Sequence, residues 1–227
     1  MNIVFKPCNS ANFKAGRTQD IKYIVIHYTA GNGDTAKNNA EYYANNVVKA
    51  SAHYFVDEGD TVYQGVKDSD TAWAVGGTSK YTHPECRNAN SISIEMCSRN
   101  WNGGGRPATD AGWYFKEETI KNAAALVRVL MKKYNIPIEN VIRHYDVWGK
   151  ICPAPFVNNP NAWENFRSRL VEKYSYDDTV DNMIRDGITT VENMVYWEKV
   201  LSGREPVNLQ YLRTLLDRYH EKVGGIL

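Results

Sequence analysis

The chain has 227 residues, 43% of them hydrophobic, and its 27 basic and 26 acidic side chains give a formal net charge of +1. This composition predicts a folded protein with one sizeable core and room for a small second unit. The near-neutral charge argues against the dense basic surface of a nucleic-acid-binding protein, so we expect no nucleic-acid partner. Up to Ser175 there are 21 Lys and Arg against 17 Asp and Glu, and beyond it 6 against 9. This imbalance indicates two modules.

The start of the chain, MNIVFKPCNS, lacks the apolar core of a signal peptide, which predicts synthesis in the cytoplasm. The four cysteines, which could otherwise form two disulfides, would then stay reduced. No stretch approaches the ~20 apolar residues of a membrane span, so we expect no membrane insertion.

The first strong element is Ile21 to Tyr28, a nearly continuous apolar run that predicts a strand buried on both faces, with His27 at its end. After a glycine-containing turn, Thr35 is placed to cap a helix from Ala36 to Val48. The next segment, SAHYFVDEGDTVYQGV, predicts a β-hairpin with its turn at residues 58–60. His53 in this hairpin is either a ligand or a hydrogen-bonded packing residue.

Residues 67–90 are rich in Gly, Thr, Ser and Asp and predict a surface loop that lines a cleft, with Trp73 inside it. Strand character resumes from Ser91 to Cys97. Within this strand Glu95 either points outward to solvent or faces a site at the strand end. The glycine-rich NWNGGGRP loop follows and could cap or flank a groove.

A long amphipathic helix is predicted from Ala111 to Tyr134, because apolar residues recur there at steps of three and four. Val141 to Arg143 predicts the last strand, and another helix is predicted from Asn161 to Tyr174. Strands alternating with helices predict an α/β fold with a central mixed β-sheet flanked by helices.

The tail predicts a separate helical domain. Asp177 and Asp178 indicate a linker over 175–178, between a domain spanning 1–174 and one spanning 179–227. Three short helices are predicted in the second, from Thr179 to Asp186, Thr190 to Leu201 and Leu209 to Val223. About 50 residues make only a marginal core, so we expect docking or self-association through these helices.

Chemistry is concentrated in VIRHYDVWGKICPAPF, where His144 ends the last strand, Cys152 follows eight residues later and Lys150 stands between them. If the strands that carry His27 and His144 are neighbours, His27, His144 and Cys152 can bind one zinc ion and leave a fourth position open, which is the catalytic pattern. Glu95 could transfer protons and Lys150 could stabilise an oxyanion. Together these groups indicate amide hydrolysis.

The segments IVIHYTAG, SAHYFVD, AWAVGG, SISIEMC and RHYDVWGKICP resemble the zinc-dependent N-acetylmuramoyl-L-alanine amidases of type 2, whose fold is shared with peptidoglycan recognition proteins and many phage endolysins. The resemblance covers roughly Phe5 to Tyr174. It implies that His27, His144 and Cys152 bind zinc and that Glu95 and Lys150 are catalytic. It also implies cleavage of the amide between N-acetylmuramic acid and L-alanine in bacterial peptidoglycan.

The chain departs from the family pattern at two places. Ala52 stands where some members have a catalytic tyrosine, so the variant of the mechanism that uses the glutamate applies here. AWAVGG replaces the AWHAG of many members, so one histidine contact with the substrate is missing. We expect substrate contacts from Trp73, Thr29 and His53.

Three functions remain open at this point. The first is a phage or prophage endolysin or autolysin that lyses the wall after release from the cytoplasm, with a tail that binds the cell wall. The second is a cytosolic amidase that recycles soluble muropeptides. The third is a non-catalytic peptidoglycan-binding module, but Cys152 argues against it because such modules typically lose the cysteine ligand.

Overall fold

The structure, a computed structural model, describes residues 2–76, 81–171 and 193–222. The chain divides into two compact units, Met1–Val171 and Glu172–Leu227. The predicted linker over 175–178 and the predicted helix from Thr179 to Asp186 both lie outside the described residues. The domain boundaries of 1–174 and 179–227 therefore stay predictions.

The first unit is built on a mixed six-stranded sheet flanked by helices, which confirms the predicted fold class. The strands run β1 Asn2–Phe5, β2 Phe13–Lys14, β3 Tyr23–Tyr28, β4 Tyr54–Val56, β5 Thr61–Gln64, β6 Thr71–Ala72, β7 Ser91–Met96, β8 Arg99–Asn100, β9 Trp113–Tyr114 and β10 Val141–Arg143. The main sheet has the order β1-β5-β4-β7-β3-β10, and two small antiparallel sheets pair β2 with β6 and β8 with β9. The predicted hairpin is the antiparallel pair β4 and β5.

The centre of the sheet is parallel and almost completely buried. β3 pairs in parallel with β7 on one side and with β10 on the other. All six residues of β3 are buried, as expected for a β-branched run covered on both faces. The helices of this unit are α1 Ala36–Asn45, α2 Glu117–Tyr134, α3 His144–Trp148, α4 Ala154–Val157 and α5 Pro160–Ser168.

Helix α2 supplies the largest apolar stripe of the core. Its buried side chains recur at helical spacing and belong to the same cluster as the residues of β3 and β7; they are Ala123, Ala124, Leu126, Val127 and Leu130. The stripe is therefore core, as predicted.

Three helix boundaries differ from the sequence prediction. α1 stops at Asn45 rather than Val48, because the backbone N–H groups of Val48 and Lys49 donate to the side-chain oxygen of Asn12 instead of continuing the helix. α2 begins at Glu117 rather than Ala111, because β9 pairs with β8 in that stretch. α5 spans Pro160–Ser168 rather than Asn161 to Tyr174. It begins one residue earlier because the side chain of Asn159 caps its first turn.

The second unit contains two described helices, α6 Met194–Leu201 and α7 Leu209–Lys222. The described residues include no helix that is both long and apolar enough to cross a membrane. All four cysteines lie buried in the first unit and are free thiols.

Candidate active site

The candidate site lies at the carboxyl ends of three adjacent parallel strands, β7, β3 and β10. His27 in β3 is level with Glu95 in β7. Arg143 in β10 is level with Ile26 in β3, so that His144, the next residue, follows alongside His27. Because parallel strands end at the same edge of a sheet, three residues far apart in sequence meet there.

The sulfur of Cys152 completes a compact group of atoms that could hold a metal ion. One ligand atom from each of His27, His144 and Cys152 lies within 4.8 Å of the others. The Sγ atom of Cys152 is 3.8 Å from Nδ1 of His27, and the two imidazole rings are 4.6 Å apart between centroids. All three side chains are buried, with exposed fractions of 2% to 4%.

The protonation chemistry of this group suits a cation. Burial lowers the pKa of His27 well below its usual value and lowers that of His144 to about 4, which keeps both imidazoles neutral with a free lone pair. Burial also raises the pKa of the Cys152 thiol, so a thiolate there needs a compensating positive charge. Within the described residues, both ring nitrogens of His144 and Nε2 of His27 are buried without a hydrogen-bond partner. Such unpaired atoms are expected of metal ligands rather than of packing residues.

Glu95 adjoins the cluster on the side of His27. Its Oε1 atom is 4.0 Å from Nδ1 of His27, and the side chain is 17% exposed. Burial raises the pKa of Glu95 to about 8, although the charge of Lys150 lowers it in part. A carboxyl group with a pKa near neutrality can both accept and donate a proton during one reaction. The sequence left open whether Glu95 points outward to solvent or faces a site at the strand end. The structure favours the second alternative.

Lys150 lies in the short loop that joins α3 to Cys152. Gly149 ends α3 with a left-handed backbone at φ 73°, and the N–H of Tyr145 then donates to the carbonyl of Cys152 at 2.8 Å. The lysine side chain is exposed and lines the same cavity as the cluster. A flexible cation is thus held at the opening of a buried site.

The cavity above the cluster has a volume of about 290 Å³. Of the predicted substrate contacts, Trp73 and Thr29 line it. The sequence reasoning missed Asn39 and Tyr43, which also line it. Asn39 and Tyr43 follow the cap residue Thr35 at steps of four, so both lie on the same face of α1. This spacing was the sequence signal that could have identified them.

His53 is not brought to this cavity. Its ring is 1% exposed, and its Nδ1 accepts a hydrogen bond from the N–H of Ser93 at 3.0 Å. Its Nε2 lies 2.7 Å from Nη2 of Arg17. Burial and then Arg17 lower the pKa of His53 to about 3. The expected substrate contact is therefore corrected: in the structure His53 is the hydrogen-bonded packing residue of the alternative interpretation.

Comparison with known proteins identifies a family. Residues 17–155, more than half of the chain, match the family described as N-acetylmuramoyl-L-alanine amidase. The matched range contains the three residues of the cluster and also Glu95 and Lys150.

Two curated relatives show the extent of the similarity. The chain is 32% identical over 159 residues to the N-acetylmuramoyl-L-alanine amidase CwlL of Bacillus licheniformis, which covers 66% of this chain and 41% of the relative. It is 30% identical over 180 residues to the N-acetylmuramoyl-L-alanine amidase BlyA of Bacillus subtilis (strain 168), which covers 74% of this chain and 46% of the relative. The chain thus spans less than half the length of these two relatives.

Two solved structures are matched over nearly all of their own length. The structure of PlyL is 31% identical with a TM-score of 0.59, and the match covers 75% of this chain and 97% of PlyL. The catalytic domain of XlyA is 26% identical with a TM-score of 0.58, and the match covers 75% of this chain and all of that domain.

Proposed function

Because the chain belongs to the N-acetylmuramoyl-L-alanine amidase family, we propose that it hydrolyses the amide bond between N-acetylmuramic acid and L-alanine in bacterial peptidoglycan. The substrate is then the cell wall, and the consequence of cleavage is loss of wall integrity. The relatives CwlL and BlyA are named for this activity.

One observation supports this proposal above the others. Two neutral imidazoles and a thiol converge within 4.8 Å at the carboxyl edge of the sheet, beside a carboxyl group that burial tunes to a pKa of about 8. A packing cluster would satisfy its buried nitrogens, whereas here three of the four imidazole nitrogens of His27 and His144 are unpaired within the described part of the chain.

We propose zinc as the metal. Imidazole and thiolate are the ligands that Zn²⁺ prefers, and a thiolate disfavours the hard cations Mg²⁺ and Ca²⁺. The described residues offer three ligands in one cluster, His27, His144 and Cys152. His27, His144 and Cys152 would hold the ion, and bound zinc would supply a Lewis acid that acidifies water and polarises a carbonyl group.

The remaining steps fall to two side chains. Glu95, whose Oε1 atom lies 4.0 Å from Nδ1 of His27, accepts the proton of the attacking water and then delivers it to the nitrogen of the leaving L-alanine. Lys150, at the opening of the cavity, places its ammonium group against the negative charge that develops on the carbonyl oxygen. Trp73 and Thr29 line the cavity, where they orient the substrate.

The test uses purified peptidoglycan. We expect release of new L-alanine amino groups without new reducing sugar ends, loss of release on chelation, and recovery when zinc is returned. Elemental analysis should find about one zinc ion per chain. New reducing ends would identify a glycosidase instead. Absence of any release by the zinc-loaded protein would favour the non-catalytic binding module.

Two kinds of amidase remain to be separated, one that acts on the intact wall and one that recycles soluble muropeptides. We propose the first, because this chain is 28% identical, with a TM-score of 0.58, to a solved structure described as a mutant endolysin from Bacillus subtilis. A higher rate on intact walls than on soluble muropeptides is the expected result.

For the second unit we propose cell-wall binding, with self-association as the competing role. Helices α6 and α7 expose several large apolar side chains that an isolated unit would be expected to cover; they are Val195, Leu209, Tyr211 and Leu216. Leu209 is 78% exposed. Replacing Leu209 and Tyr211 by lysine in the full chain should reduce co-sedimentation with walls. If the same change instead converts a dimer to a monomer while wall binding persists, self-association is the role.

A further inference from the structure

A flat aromatic pair stands on the surface next to the proposed active site. The rings of Trp101 and Tyr114 are stacked with centroids 3.8 Å apart and planes within 9° of parallel. Trp101 is nevertheless 74% exposed, the highest exposure of any large apolar side chain in the described part of the first unit. Tyr114 covers one face of the indole, so the exposed area includes its opposite face. Exposing so much apolar surface is unfavourable unless a partner covers it.

The pair lies on the same edge of the sheet as the cluster. β8 carries on from β7 just beyond Glu95, so the β8-β9 pair projects from the carboxyl end of that strand. Asn100 donates its N–H to Oδ1 of Asn32 at 3.0 Å, in the loop that begins with the cavity residue Thr29.

A second contact ties the same segment to the other side of the site. The side-chain amide of Asn158, six residues beyond Cys152, donates to the carbonyls of Ala108 and Asp110 at 3.0 and 3.3 Å. The segment between Asn100 and Gly112 therefore contacts the loop after β3 on one side and Asn158, at the end of α4, on the other. The loop after β3 carries the cavity residues Thr29 and Ala30.

Hydrogen bonds give this segment one defined shape despite its glycines. Oδ1 of Asp110 accepts from the N–H of Gly112 at 2.7 Å and from the side-chain amides of Asn100 and Asn102 at 3.2 and 3.1 Å. The N–H of Trp101 donates to the carbonyl of Gly112 at 3.1 Å. A ring fixed in this way loses little conformational freedom on binding, which favours affinity.

We propose that Trp101, supported by Tyr114, is a binding subsite for a sugar ring of the glycan strand, outside the muramoyl residue whose amide is cut. The apolar C–H face of a pyranose ring matches a flat indole face in size, while its hydroxyl and acetamido groups stay hydrated at the rim. The site would hold the polymer along the sheet edge and favour glycan chains over single muropeptides. This inference rests on the proposed amidase function.

The test compares two soluble substrates that share the same cleaved bond. One is a single N-acetylmuramoyl peptide, and the other is an uncross-linked glycan oligomer that carries the same peptides. The measured quantity is the ratio of kcat/KM on the oligomer to kcat/KM on the single unit, because a general effect on the catalytic centre cancels in this ratio. For Trp101→Ala we expect the ratio to fall about fivefold, which corresponds to about 1 kcal/mol of stacking free energy.

Two variants control for structure. Trp101→Phe keeps a flat ring and should recover most of the ratio. Phe5→Ala removes another exposed ring, 45% exposed on the edge strand β1, three strands away from β7, and should leave the ratio unchanged. Equal losses on both substrates, or no change on either, would overturn the subsite.

Binding separates this inference from the amidase proposal. Calorimetric titration with a peptide-free glycan oligomer should show weaker binding to Trp101→Ala than to the wild-type chain, whether or not the protein is active. If the wild-type chain cleaves neither substrate, the amidase proposal fails, and this titration alone decides the subsite. If the oligomer binds both proteins equally, a sugar is not the partner of Trp101.

Discussion

Removal of one proposed zinc ligand should remove most of the stabilisation of the fold by zinc. The structure forms the proposed site in advance, since His27, His144 and Cys152 are buried with their ligand atoms within 4.8 Å. A metal that binds only the native state at a thousand times its Kd stabilises that state by about 4 kcal/mol. For a unit of this size, each kcal/mol raises Tm by roughly 2–4 °C, so zinc should raise Tm by about 10 °C over the chelated protein.

The assay is thermal unfolding of wild type and His144→Ala, each with a chelator and with excess zinc. The wild-type chain should show the increment of about 10 °C. His144→Ala should lose most of it, because two remaining ligands bind zinc weakly. Without zinc the variant should unfold near the wild-type temperature, since the chelated wild type keeps the two ring nitrogens of His144 buried and unpaired.

His53→Ala is the matched control. His53 is a buried histidine of the same sheet region, 1% exposed, but it lies outside the metal-binding cluster. Its removal should lower Tm with and without zinc and leave the zinc increment intact. A zinc increment that survives in His144→Ala, or disappears in His53→Ala, would refute the assignment of the ligands.

Three further substitutions test the proposed roles of Glu95 and Lys150 and the contribution of the buried Asp68 to stability. Glu95→Gln should lower kcat for release of L-alanine amino groups by at least about a hundredfold while the zinc increment in Tm persists, because proton transfer is lost but the ligands are not; loss of bound zinc would contradict this role. Lys150→Met should lower kcat about a hundredfold with a smaller change in KM, since the ammonium acts on charge that develops during the reaction; a change in KM alone would argue for simple substrate binding. Asp68→Asn should lower the free energy of unfolding, measured by urea titration, by about 2 kcal/mol. The carboxylate of Asp68 accepts hydrogen bonds from the hydroxyls of Tyr54 and Tyr134, each at 2.6 Å, and an amide cannot accept both equally. Burial alone would raise the pKa of Asp68, but the hydrogen bonds hold it below the usual value, so this stabilisation should be complete above about pH 4 and decline as the pH falls through the lowered pKa. A difference between the two proteins that stayed constant down to pH 2 would contradict that reasoning.

The sequence by itself was enough to predict the strands β3, β4, β5, β7 and β10 and the chemistry proposed for the site. The nearly continuous apolar run from Ile21 to Tyr28 predicted a strand that is covered on both faces, and all six residues of β3 are buried. The types and spacing of His27, Glu95, His144 and Cys152 were sufficient to predict a catalytic metal site and its reaction class. Local sequence carries this information because strand propensity and ligand chemistry are properties of single residues and short runs.

The ends of the helices were harder to predict from the sequence than their presence. α2 begins at Glu117 because β9 pairs with β8, a contact between segments more than ten residues apart. α1 ends early because Asn12, over thirty residues away, takes the N–H groups of Val48 and Lys49. Competing long-range hydrogen bonds decide such boundaries, and periodicity contains no trace of them.

Only the tertiary structure decided which histidines meet. His27, His53 and His144 each sit in or beside a strand, and sequence left a ligand role open for His53. The parallel register puts His144 alongside His27 at one edge, whereas His53 is turned into the core against Arg17 and Ser93. The stacked pair of Trp101 and Tyr114 is likewise a product of the fold, because two strands that no local pattern marks must pair before the rings can touch. Residue chemistry is local, but convergence is a property of strand order and register, which arise from contacts across the whole chain.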